Sequence, residues 1–175
     1  MIFYIFDFLL STTITKIMTK YDDASWHYGG DFSDEIPKKN GATHTGMFLN
    51  WCINHNFHSK ELQEDYENEI ESLKRREITG ADFVIDQLEG KFTEYELNDF
   101  GNAFAKDYYV DETDFANKFS SFATDYINIF DSIAEENDFE YETFYHIEDT
   151  YENYDLMKQV IDHRFLEWKE YKNLN

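Results

Sequence analysis

From Gly41 onward, apolar residues recur every three or four positions, the period of helices with one buried face. The segment GATHTGMFLNWCINHN carries Phe48, Trp51, Cys52 and His55 at that spacing, with Thr43 available as a cap. A second stripe, Leu62, Tyr66, Ile70 and Leu73, follows Ser59. A third, Ala81, Val84, Ile85 and Leu88, follows the pair Thr79 and Asp82 and stops at Gly90. Thr93 and Glu96 read as a capping box ahead of Leu97, Phe100, Phe104 and Tyr108. The most regular stripe is Phe115, Phe119, Phe122, Tyr126, Ile129 and Ile133, a heptad-like seam expected to face the core. DFEYETFYHI alternates instead, with Phe139, Tyr141, Thr143, Tyr145 and Ile147 on one side, as a short strand or extended arm would. An Asp149 and Glu152 box then reopens helix and buries Tyr154, Met157, Ile161, Phe165 and Trp168. The pattern predicts a mainly α fold: a single-domain bundle of about six helices, an extended N-terminal arm and at most a little sheet.

Composition supports long helices, because one proline and seven glycines interrupt the chain. With 17 Phe, 13 Tyr and 3 Trp, the chain has rings enough for a core, unlike a disordered acidic tail. The formal net charge is −22, which argues against phosphate-tracking contact with nucleic acid and suits a basic partner. Cys52 is the lone cysteine, so no internal disulfide is expected and a cytoplasmic setting fits. The opening MIFYIFDFLL is too short to span a bilayer and lacks the basic start of a signal peptide, so no membrane role is expected. Met18 reads as an alternative initiator, which would make residues 1–17 an N-terminal extension and 18–175 a single acidic helical domain.

Candidate chemistry centres on YDDASWHYGG. Asp22, Asp23, Ser25, Trp26 and His27, with His44 beyond, are suited to a structural latch, their oxygens accepting backbone N–H bonds and their rings pinning an arm. The same residues could instead wall a pocket. No metal and no cofactor are expected: His44 and His55 would lie about 16 Å apart along one helix, and no HExxH or paired CxxC appears. Cys52 falls on an apolar face, Ser25 lacks a nucleophile elbow, and no phosphate-binding glycine loop is present, so no catalytic residue is assigned.

The segments YDDASWHYGGDF, GATHTGMFLNWC, ITGADFVIDQLEGKFTEYELNDFGNAFAKDYY and DTYENYDLMKQVIDHRFLEWKEY together resemble a family of uncharacterised bacterial proteins. That resemblance implies no activity and no catalytic residues. Small acidic bacterial proteins of this kind also resemble, in type alone, the immunity proteins of toxin systems.

Between Thr93 and Asp155 lie eighteen acidic and two basic residues. Asp107, Asp111, Asp114, Asp125, Asp131, Glu135, Glu136 and Asp138 fall on or beside the aromatic seam but off its apolar face, and are expected to bind a partner. The leading expectation is a non-enzymatic, immunity-type binding protein that occludes a basic protein such as a nuclease toxin. The alternative is an enzyme or ligand binder with a pocket near Asp22, Asp23, His27 and His44. A third is a subunit that oligomerises through the Phe115 to Ile133 seam.

Overall fold

Helix α1 (Thr43–Asn54) is apolar on nearly every side, and a helix of that kind belongs inside. The computed structural model describes residues 18–29 and 32–174, and in it ten of the twelve α1 residues are buried. The expected extension over residues 1–17 lies outside the described residues. Around α1 pack α3 (Glu67–Lys74), α4 (Gly80–Leu88) and the long C-terminal α8 (Tyr151–Tyr171). Helices α2 (Lys60–Asp65), α5 (Asp99–Tyr108), α6 (Asp114–Lys118) and α7 (Phe122–Glu136) complete the shell. Two short strands, β1 (Lys20–Asp23) and β2 (Lys91–Thr93), pair antiparallel. The fold is mainly α with this one small sheet among the described residues. No helix among them is long and apolar enough to cross a membrane.

Several helix starts follow the sequence. Ser59 accepts from Leu62 N–H, and Thr79 and Asp82 close a reciprocal capping box. Others differ. Glu96 accepts from the Thr93 N–H and hydroxyl, but this pair ends β2; the cap of α5 is Asn98, which accepts from Gly101 N–H. Thr150, rather than Asp149, caps α8, because the Asp149 carboxylate turns inward to Thr79 and to Lys39, the latter at 3.1 Å. Thr43 caps nothing: it is already helical behind the 3-10 segment Lys38–Ala42. The stripe after Ser59 breaks at Tyr66 into α2 and α3. The aromatic seam breaks too, since Ser121 opens α7 with a fresh cap. Its buried face shifts accordingly to Phe115, Phe122, Tyr126 and Phe130, with Ile129 and Ile133 half-buried. Phe139 to Ile147 contains no strand; Phe144–His146 is a 3-10 turn.

In the core, α1 and α4 approach closely. A Cβ on Gly46 would collide with the Gly80 and Ala81 backbone, and one on Gly80 would collide with the Gly46 carbonyl. The two helices therefore meet backbone to backbone, with no room for a methyl group. Gly46→Ala should cost about 3 kcal/mol by forcing them apart, read as a lower urea midpoint with an unchanged m-value. A midpoint equal to that of the parent chain would show that the crossing yields freely.

Candidate functional site

In β1 the residues Tyr21, Asp22 and Asp23 are all buried, where a regular strand would alternate. The register slips between Lys20 and Asp22, and such irregularities re-aim side chains. Asp23 caps the 3-10 turn Ala24–His27: its Oδ1 accepts from Ser25 N at 3.0 Å and from Ser25 Oγ at 2.6 Å. Lys20 Nζ donates to Oδ2 at 2.7 Å. The Lys20 bond first, then those from Ser25, pull the Asp23 carboxyl down to about 2. This turn swings His27 back over Asp22.

Five donors converge on the Asp22 carboxylate. Asp23 N–H and His27 Nε2 lie 2.7 and 3.0 Å from Oδ1. His44 Nε2, Thr45 Oγ1 and the Tyr109 hydroxyl lie 2.9, 3.0 and 2.6 Å from Oδ2. Burial alone would raise this carboxyl's pKa. The bonds from His27 and His44, the charge of His44 and the Tyr109 bond outweigh burial and hold it far below the ordinary value. The acid is therefore ionised and only accepts, so each imidazole turns an Nε2–H toward it. On a neutral ring, His27 Nδ1 accepts from the Tyr145 hydroxyl at 3.1 Å. Burial pushes the Tyr109 phenol well up, and the neighbouring Asp22 charge pushes it further.

Aromatic rings close the cluster. The imidazoles of His27 and His44 meet edge to face at 4.8 Å. Phe144 stands edge-on to both, at 6.4 and 6.2 Å, and Tyr126 lies 6.0 Å from His44. Beside them Trp26 is 62% exposed, with Lys20 Nζ 5.3 Å from its ring centre.

Of the residues singled out from sequence, Asp22, His27 and His44 thus come together, while Asp23 and Ser25 build the turn that carries His27. The sequence pattern does not mark Thr45, Tyr109 or Tyr145 for this cluster. Thr45 is readable only as a neighbour of His44, and Tyr109 and Tyr145 only once α5 and the 3-10 turn are placed. His55 stays apart, stacked on Trp51 at 3.9 Å, and His58 bonds Gln63.

The acidic positions divide into two groups. Asp125 is buried, accepting from Tyr108 at 2.9 Å and from Arg164 at 2.8 and 3.0 Å, so it cannot meet a partner. Asp107 is half-buried, taking the Trp168 indole N–H and Lys172 Nζ, each at 2.7 Å. Asp111, Asp114, Asp131, Glu135, Glu136 and Asp138 are exposed, with no ion pair among the described residues. Asp131, Glu135 and Glu136 crowd the C-terminal half of α7, whose last turn carries no basic residue. There the helix dipole is negative, so these charges oppose it. A groove of about 360 Å³ opens beside them, lined by Asp131, Glu135, Glu140, Phe139 and Tyr141.

Asp22→Asn should lower stability at neutral pH by about 3 kcal/mol, since it strips the charge that two imidazoles and a phenol are arranged around. The folded pKa lies below the unfolded value near 3.8. The stabilisation is thus complete above that pH and is lost as acid is added toward the folded value. Urea unfolding from pH 7 down to pH 2 should therefore show a constant offset between the two proteins above the unfolded value and a shrinking one below it; an offset that does not shrink in acid would refute the assignment.

No curated protein and no solved structure matches the chain. One family model does, over residues 20–147, which takes in the whole Asp22 cluster and the acidic run up to Ile147 but stops before α8. By that match the chain belongs to the family described as "Domain of unknown function (DUF7832)".

Proposed function

We propose that this chain is an acidic binding protein that occludes a basic protein partner, as immunity proteins do to basic toxins such as nucleases. The observation that carries the reading is the set Asp131, Glu135, Glu136 and Asp138: exposed, unpaired among the described residues, the first three on the C-terminal half of α7 and the last just beyond it, at the negative end of the helix dipole. Charges placed this way cost the free protein stability. A cationic partner would relieve both the mutual repulsion and the dipole conflict, and would be steered in by the same field. Phe139, 45% exposed, and Tyr141 flank the groove and supply rings on which a lysine or arginine side chain can rest. A nuclease is basic where it holds phosphates, so a carboxylate ridge can cover that surface without any chemistry of its own.

The test joins stability to binding. Replacing Asp131, Glu135, Glu136 and Asp138 by their amides should raise stability by about 1 kcal/mol or more, measured by urea unfolding. The same variant, tagged and expressed in the native organism, should lose a basic protein that the parent chain retains. For the parent, the association rate should fall steeply between low and high salt. Equal capture by both proteins, a salt-independent rate, or recovery of acidic proteins alone would overturn the reading.

A further inference from the structure

We propose that Asp22, His27 and His44 form a binding site for one first-row divalent metal ion, with zinc as the ion that best fits the donors. Each residue offers one ligand atom, and the three atoms lie within 4.8 Å of one another. They arrive from three separate elements: β1, the 3-10 turn after it, and the start of α1. Both histidines present the same atom, Nε2, one to each oxygen of a single carboxylate. Bonds of about 2.0–2.2 Å to a tetrahedral ion need ligand atoms roughly 3.3–3.5 Å apart. Each Nε2 already lies within 3.0 Å of the Asp22 carboxylate, so binding asks the two nitrogens to draw together around the ion. Two nitrogens and one oxygen select zinc and its neighbours over magnesium or calcium, which favour oxygen donors.

The surroundings fit the same assignment. Once His27 Nε2 gives up its proton to bind the ion, Nδ1 carries the hydrogen and donates it to the Tyr145 hydroxyl, an outer contact that fixes the ring. Thr45 and Tyr109 hold Asp22 Oδ2 in the same manner. Phe144 and Tyr126 form an apolar wall that keeps water from one side. Three protein ligands leave the fourth position of a tetrahedral ion for water or a ligand. The side chains of His27 and His44 are 20% and 12% exposed, which leaves a way in, and the chain's strong negative charge draws cations toward it.

The competing account is a latch: imidazole N–H groups bonded to a carboxylate, with no ion involved. Chelator-treated full-length protein separates the two. Calorimetric titration with zinc chloride, in excess magnesium chloride to occupy surface carboxylates, should show about one ion per chain. Zinc should also raise the melting temperature, because it binds the folded state. Cobalt(II) in its place should give the visible absorption of a four-coordinate ion. All three signals should vanish in His27→Gln, whose partly exposed side chain makes it the variant best able to fold. Tyr145→Phe should weaken zinc by about tenfold or more. The exposed histidine variant His163→Gln should bind zinc as the parent does. Absence of saturable binding, displacement by magnesium, or unchanged binding in His27→Gln would leave the latch and overturn the metal site.

Discussion

The backbone contact between Gly46 and Gly80 is the constraint on which the rest of this structure depends. Side chains normally hold helices 8–10 Å apart, and here two glycines remove that spacer where α1 meets the start of α4. The consequences run in both directions along the chain. Toward the N-terminus, the first turn of α1 is pressed inward, so that His44 and Thr45 reach Asp22. Toward the C-terminus, α4 ends at Glu89 and Gly90, both at positive φ, and the chain turns straight into β2. Strand β2 is the partner that holds β1 in place, and Ala24 N–H is bonded to Gly90 O at 2.8 Å. The same crossing thus sets both halves of the Asp22 cluster.

Much of the helical frame was legible because its signals are local. Ser59 and the pair Thr79 and Asp82 cap helices within a few residues of themselves, and of the expected face Tyr154, Met157, Ile161 and Trp168 are buried while Phe165 is half-buried. Where the local signal misleads, a longer-range demand takes the residue away. Asp149 has the composition of a cap, yet Lys39 and Thr79 lie across the fold and claim it, leaving Thr150 to cap α8. The Glu96 carboxylate reaches back to the Thr93 N–H as in a capping box, but the Thr93 hydroxyl accepts from Tyr95 N–H, and pairing of Thr93 with Lys20 commits that stretch to sheet. The break at Ser121 could not be seen from the seam, because Phe115, Phe119 and Phe122 keep helical spacing across it while the backbone does not.

The cluster was legible in its parts and not in its assembly. Asp22 and His27 stand five residues apart, and their meeting follows from the turn that Asp23 and Ser25 close. His44 comes from α1 and Tyr109 from just beyond α5, so their approach to the same carboxylate is a property of the packed core. The slip in β1 register is equally hidden, since nothing in KYDD marks which of its residues will face inward. Spacing along one helix is a poor guide to a cluster whose second histidine lies on a separate turn and whose carboxylate lies on a strand.

The distribution of carboxylates has a single physical logic. A buried acid persists only where donors or cations meet it: Arg164 of α8 meets the buried Asp125, and Trp168 with Lys172 meets the half-buried Asp107. The core around Asp22 supplies another such meeting, with histidines and hydroxyls in place of lysine or arginine. Once those sites are satisfied, few cations are left for the outer face of α7, and its acids stand exposed against the helix dipole. Burial and charge thus sort the same residue type into two classes. One class is fixed by internal partners and holds the fold. The other lacks partners within the described chain, and from there a cation of external origin has the most to stabilise.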